Sequence, residues 1–150
     1  MKIVAHNRKA YHDYEILDKI EAGVALTGSE VKSIRAGRVN ISEAYAQCLK
    51  GELVILNLHI NPYERRGGYA PDPLRKRKLL LHKREIARMA AEVERKKLAL
   101  IPLSMYFKRQ WVKLEIALCR GRKKYDKRQK IAKEDSRKQL AQLRNLKNRA

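Results

Sequence analysis

Hydrophobic side chains alternate with polar ones in several stretches of the chain, which is the period of a strand with one buried face. The alternation is clearest in residues 54–60, 99–107 and 112–118. A polar segment, 108–110, separates the last two stretches, so these are predicted to form a hairpin. Pro102 lacks a backbone donor, which predicts a sheet edge or a bulge at that point. Weaker strand patterns cover residues 14–26, 43–49 and 78–81.

Two segments depart from this period and predict helices. Thr27 and Glu30 have the spacing of a capping box, with Gly37 as a natural end to the helix. The second helix is predicted over residues 83–97. Its apolar face comprises Ile86, Met89, Ala90 and Val93.

The charge is strongly positive and unevenly distributed. The 150 residues include 36 Lys and Arg against 16 Asp and Glu, a net charge of +20. Residues 120–150 alone carry 13 basic and 3 acidic residues, a net charge of +10 with few apolar positions. We therefore expect a body over residues 1–119 and a basic tail over 120–150 that is disordered when free and folds on binding. A solvated helix packed on the body is the alternative.

Such an excess of positive charge favours a polyanion as partner, and nucleic acid first among polyanions. Many short strands with two to three helices predict a mainly β protein. An oligonucleotide-binding (OB-type) barrel with a basic C-terminal tail fits both the strand count and the charge.

Several other classes of protein are not expected. The chain has no run of 18 apolar residues and no apolar segment near Met1 typical of a secretion signal. Cys48 and Cys119 are isolated, which favours a reduced, cytoplasmic protein. The sequence lacks a zinc-binding Cys/His cluster, a phosphate-binding loop and paired acids. We therefore predict no metal, no cofactor, no membrane contact and no enzymatic activity.

Candidate binding residues lie on the last predicted strand and the first helix. Trp111 and Lys113 project opposite the apolar face, where an aromatic ring beside a cation suits base stacking and phosphate contact. Lys32 and Arg35 lie on one helix face, and Lys78 ends a basic loop over residues 62–78. A solvated charged face remains the alternative for all of these positions.

Six segments closely resemble the SmpB (small protein B, SsrA-binding protein) family, and together they cover essentially the whole chain. The most specific is the block over residues 26–40. One departure is Lys97, where many members have a glycine after the second helix. The segments are NRKAYHDY (7–14), IEAG (20–23), LTGSEVKSIRAGRVN (26–40), PYE (62–64), RKLLL (77–81) and YDKR (125–128).

The resemblance implies an adaptor without catalysis of its own. In this family an OB barrel binds the tRNA-like domain of transfer-messenger RNA (tmRNA, or SsrA RNA). The complex enters stalled ribosomes for trans-translation, which rescues the ribosome and tags the nascent peptide. The basic tail enters the empty message channel near the decoding centre and 16S rRNA, where it is thought to become helical. Elongation factor Tu is implied indirectly, through charged tmRNA.

The resemblance also implies roles for individual residues. Three body positions match family positions tied to RNA binding: Glu21, Leu80 and Lys113. The residue pattern alone agrees with Lys113, places Leu80 in the core and does not single out Glu21. The implied ribosome-binding tail residues are Tyr125, Asp126, Lys127, Arg128 and Lys130.

Two other functions stay open from the residues alone. A small basic ribosomal protein that binds rRNA would share the charge and the barrel. An enzyme acting on RNA is the third class, and the lack of paired acids disfavours it.

Overall fold

The structure, a computed structural model, describes residues 2–63 and 71–121. The predicted tail residues, from Tyr125 to Lys130, lie outside these ranges. The helices are α1 (Arg8–Asp13), α2 (Gly28–Arg35) and α3 (Lys83–Lys96). The strands are β1 (Lys2–His6), β2 (Tyr14–Val24), β3 (Val39–Asn40), β4 (Tyr45–Leu49), β5 (Glu52–Leu56), β6 (His59–Ile60), β7 (Arg77–Leu80), β8 (Ala99–Lys108) and β9 (Trp111–Gly121).

The main sheet closes on itself into an antiparallel barrel. Strands pair in the order β4, β5, β7, β2, β9 and β8, and β8 pairs back with β4 where Leu100 lies opposite Ala46. Strand β1 pairs with the later part of β8. The prediction of a mainly β barrel with helices is confirmed. The ring has one strand more than the five-stranded OB barrel.

Inward side chains of the barrel strands form the main core, and both longer helices contribute to it. Ile34 on α2 and Ile86 and Met89 on α3 are buried against the barrel strands. The predicted capping box is present, since the Thr27 side chain accepts from the Glu30 amide while Glu30 accepts from the Thr27 amide. This cap explains why α2 begins where the sequence predicted.

A β-bulge in β8 changes which side chains face inward. The strict alternation predicted over residues 99–107 is wrong, because the register with β9 shifts between Pro102 and Ser104. Met105 and Phe107 therefore join the main core, whereas Ile101 and Leu103 join a second cluster beneath α1. An extra residue in one strand reverses the side-chain alternation beyond it. The proline-based prediction of a bulge is confirmed.

Other differences from the predictions have local causes. The strand predicted over 54–60 is interrupted at Asn57, whose φ of 56° is left-handed and tolerated by asparagine. Helix α1 and strand β1 were not predicted. Asn7 begins α1 by accepting a hydrogen bond from the Ala10 amide, and its side chain donates to the Pro102 carbonyl of β8.

The basic loop predicted over residues 62–78 is also partly wrong. Its described part ends in strand β7, and Arg77 is a fully buried residue of that strand. Among the described residues, no helix is both long and apolar enough to cross a bilayer.

Candidate nucleic-acid interface

Four residues form a row across the outer surface of the barrel. Gly23 on β2 lies opposite Leu80 on β7 and Lys113 on β9, and Lys113 lies opposite Tyr106 on β8. A Cβ atom on Gly23 would stand 3.2 Å from the Leu80 Cβ and 3.7 Å from the Lys113 Nζ. The leucine and the lysine thus lie side by side because the residue between them has no side chain. We call this surface of β7, β2, β9 and β8 the outer face.

Leu80 is exposed, contrary to the prediction from the residue pattern alone. Strand β7 alternates, so Arg77 and Leu79 point inward while Lys78 and Leu80 point outward. Leu80 has 52% of its surface exposed. An exposed leucine beside a lysine can offer an apolar surface to a base or ribose and a cation to the neighbouring phosphate.

Glu21 lies on the same face, two residues before Gly23, and is held by groups of β8. The Tyr106 hydroxyl donates to Glu21 Oε2 at 2.5 Å, and Lys108 Nζ lies 3.5 Å from Glu21 Oε1. The Tyr106 hydrogen bond is the main reason that the pKa of Glu21 is lowered, and Lys108 and Lys113 lower it further. Burial and the adjacent carboxylate raise the pKa of Tyr106. Glu21 is therefore an ionised acceptor and Tyr106 a neutral donor near pH 7.

Trp111 and Lys78 extend this surface on one side of the Gly23 row, because each lies two residues from the row on its strand, toward Ala25. Trp111 begins β9 opposite Lys108 and is exposed, so its predicted outward orientation is confirmed. Lys78 shares the side of β7 that carries Leu80, and its Nζ lies 3.3 Å from Glu52 Oε1. The outer face thus carries an exposed ring, an exposed leucine and several cations.

The two α2 cations lie apart from this row. Lys32 Nζ stands 5.6 Å from the ring centroid of Tyr63, and the Arg35 guanidinium carbon stands 5.4 Å from that of Phe107. Phe107 belongs to the barrel core. Arg35 therefore covers the end of the barrel near the β8–β9 hairpin, and both cations remain exposed.

A buried ion cluster fixes α2 against the strand that carries Leu80. Arg77 Nε donates to Glu30 Oε2 at 2.6 Å, and Arg75 Nη2 donates to Glu30 Oε1 at 2.6 Å. Arg77 also donates to the Leu58 and Pro73 carbonyl oxygens. Burial alone would raise the pKa of Glu30, but the hydrogen bonds from Arg75, the Thr27 amide and Arg77 lower it overall.

Sequence reasoning missed Tyr106 and Lys108. The alternation over residues 99–107 placed both side chains on the face opposite Met105 and Phe107, but nothing in that pattern marked them as binding residues. Within residues 2–63 and 71–121, no group of three His, Cys, Asp or Glu side chains could hold a metal ion.

A closed barrel with lysines, an exposed leucine and an exposed tryptophan on one outer face defines a nucleic-acid-binding barrel protein. The sequence model of the family described as "SmpB protein" matches residues 4–147. The chain belongs to the SmpB family, which confirms the resemblance seen in the sequence.

Individual relatives agree with this assignment. The SsrA-binding protein of Carboxydothermus hydrogenoformans is 52% identical over 139 residues, 93% of each chain. That of Clostridium perfringens is 49% identical over 148 residues, 99% of this chain and 95% of the relative. A solved chain described as "tmRNA-SmpB: a journey to the center of the bacterial ribosome" superposes with a TM-score of 0.69 at 45% identity. That match covers 87% of this chain and 95% of the other.

Proposed function

We propose that this protein is an RNA-binding adaptor that binds the tRNA-like domain of tmRNA and delivers it to stalled ribosomes for trans-translation. The observation that carries the proposal is the meeting of Glu21, Leu80 and Lys113 on one outer face. These residues come from three different strands, and each matches a family position tied to RNA binding. The SsrA-binding relatives and the similar chain from a tmRNA–SmpB study support the same function.

Each part of the outer face has a distinct role in this proposal. Lys113 neutralises a phosphate, and Leu80 packs on a base or ribose. Trp111 offers a ring for stacking on an unpaired base. The remaining cations, Lys78, Lys32 and Arg35, contact backbone phosphates at the periphery.

The tail has a separate role in the proposal. The predicted boundary at residue 120 is shifted by the structure, because Arg120 and Gly121 belong to β9 and pair with β2. In this proposal the tail beyond Gly121 becomes helical when it enters the message channel of the ribosome. There Tyr125 stacks on a base of 16S rRNA near the decoding centre, while Asp126, Lys127, Arg128 and Lys130 make the accompanying polar contacts. The protein works in the cytoplasm without catalysis of its own, and elongation factor Tu joins only through charged tmRNA.

Substitution of Lys113 tests the RNA-binding face. Because a neutralised phosphate releases counterions, Lys113→Ala should lower the slope of log affinity against log salt by roughly 0.7 to 0.9. The measurement is a gel shift with the tRNA-like domain over a range of salt concentrations. Lys9 on α1 is a matched control, because it is also an exposed lysine paired with a carboxylate. Its Nζ lies 3.1 Å from Glu43 Oε1. An unchanged slope for Lys113→Ala, or an equal change for Lys9→Ala, would contradict the proposal.

Truncation tests the division between body and tail. Strand β9 pairs with β2 as far as Gly121, opposite Tyr14, so the cut belongs after Gly121. The truncated protein should retain most of its affinity for the tRNA-like domain and lose peptide tagging on a message without a stop codon. Tagging at the full rate would refute the role of the tail. Loss of RNA binding would place the recognition surface in the tail.

A further inference from the structure

We propose that Lys108 is an RNA-phosphate contact of the outer face and that Glu21 and Tyr106 are positioning residues that hold its ammonium group in place. The inference rests on the proposed RNA-binding function and adds a residue and a mechanism to it. In this mechanism Glu21 acts through the lysine that it holds and makes no direct contact with a base.

Lys108 is placed and oriented like a phosphate contact. It ends β8 at the mouth of the β8–β9 hairpin, opposite the exposed Trp111. Its side chain is 61% exposed, and its Nζ lies 3.5 Å from Glu21 Oε1. A free lysine loses much rotamer freedom when it binds a phosphate, and a fixed carboxylate that already restrains the ammonium reduces this loss.

Glu21 is well suited to restrain the lysine and poorly suited to bind RNA by itself. One of its oxygens accepts from Tyr106 and the other faces Lys108. A lone carboxylate would repel phosphates. Here the negative charge lies close to two lysines, Lys108 and Lys113, so it allows both ammonium groups to share one small surface.

Tyr106 acts from beneath this surface. The residue is only 5% exposed, which leaves its ring little access to RNA, and its hydroxyl donates to Glu21 at 2.5 Å. The strand register places Tyr106 opposite Lys113, and the bulge after Pro102 turns it toward this face. The hydrogen bond therefore fixes the carboxylate, which in turn restrains Lys108.

The test combines single and double variants in the salt-dependent gel shift. Lys108→Ala should lower the salt slope by roughly 0.7 to 0.9. In the wild-type background, Glu21→Gln and Tyr106→Phe should each weaken RNA binding roughly three- to tenfold. In the Lys108→Ala background, each should weaken binding by less than about twofold relative to Lys108→Ala alone. Lys9→Ala, whose side chain is 59% exposed and also held by a carboxylate, is the matched control.

A second readout follows Glu21 directly by NMR titration of its carboxyl carbon. Because the Tyr106 hydrogen bond is the main cause of its lowered pKa, Tyr106→Phe should move that pKa up toward the ordinary value. A defect due only to misfolding would appear as a lowered urea midpoint or as loss of chemical-shift dispersion in the NMR spectrum, without a specific shift in the pKa of Glu21. An unshifted pKa in the folded variant would overturn the role of Tyr106.

The remaining outcomes separate the inference from the proposed function. If Glu21→Gln costs as much in the Lys108→Ala background as alone, Glu21 contacts RNA directly and the inference is wrong. An unchanged salt slope for Lys108→Ala would also refute it, even if Lys113→Ala behaves as expected. Wild-type protein that fails to bind the tRNA-like domain would refute the proposed function itself.

Discussion

Glu30→Gln should destabilise the protein strongly, because it breaks the buried ion cluster beside α2. The Glu30 side chain is 4% exposed and that of Arg77 is 0% exposed. The two carboxylate oxygens accept from Arg75 Nη2, Arg77 Nε and the Thr27 amide, at 2.6, 2.6 and 2.9 Å. Glutamine has one acceptor oxygen and an NH2 group, so at least one of these donors would face another donor.

The size of the effect follows from the charge left behind. Arg77 would keep a buried guanidinium whose other acceptors are the neutral Leu58 and Pro73 carbonyls. Removing one partner of a buried ion pair costs about 3–5 kcal/mol. Since domains are typically stable by about 5–15 kcal/mol, the variant should lose a large share of its free energy of unfolding.

Urea unfolding followed by circular dichroism measures this loss at neutral pH. Glu92→Gln is the matched control, because Glu92 on α3 also pairs with two cations, Arg95 and Lys96, but at the helix surface. Its midpoint should stay close to that of the wild type. A Glu30→Gln variant within about 1 kcal/mol of the wild type at an unchanged m-value would refute the reasoning.

The free energies of unfolding of the wild type and of Glu30→Gln should depend differently on pH in the acid range. The pKa of Glu30 in the folded protein lies below its ordinary value of 4.5. A carboxyl group of this kind stabilises the fold above its unfolded pKa, and the contribution is lost as the pH falls through the folded pKa. The stability gap between wild type and Glu30→Gln should therefore be full above about pH 4.5 and narrow below it. A gap that stays constant into acid would contradict the assignment.

Three further substitutions test local features of the fold. Lys97 caps the C-terminus of α3 in a left-handed conformation with φ of 52°. Because glycine adopts this conformation without strain, Lys97→Gly should raise the free energy of unfolding by about 0.5–1 kcal/mol. An unchanged urea midpoint would contradict this explanation. Gly23→Val should displace Leu80, whose Cβ lies 3.2 Å from the position of the new Cβ. It should weaken RNA binding in gel shifts while the urea midpoint of unfolding changes little, and unchanged RNA binding would contradict the role of Leu80. Asn7→Ala should lower the free energy of unfolding by about 1–3 kcal/mol, because it removes the cap of α1 and the hydrogen bond from Asn7 to the buried Pro102 carbonyl. An unchanged melting temperature in calorimetry would refute this prediction.

Much of the fold could be predicted because its signals are local. The cap from Thr27 to Glu30 spans three residues, and the amphipathic face of α3 repeats within each turn. The strand period over residues 112–118 likewise placed Trp111 and Lys113 on the outer side of β9. Each of these features depends on neighbours within a few positions along the chain, so the sequence displays it directly.

The candidate site was less accessible, because its residues are assembled from distant segments. Tyr106 and Glu21 are 85 positions apart, and Glu30 and Arg77 are 47 apart. Composition indicated a surface for a polyanion and the family resemblance indicated three of its residues. Neither indicated that Tyr106 and Lys108 would join them.

The sequence by itself determined the period of its strongest strands, the start of α2, the apolar face of α3 and the excess of positive charge. Only the tertiary structure decided that Leu80 is exposed and Arg77 buried, although both lie in one short strand of alternating residues. The physical reason is that alternation defines two faces without saying which one is covered. That choice depends on the carboxylate of Glu30, which compensates the charge of the buried arginine, and on Gly23, which leaves room beside the exposed leucine.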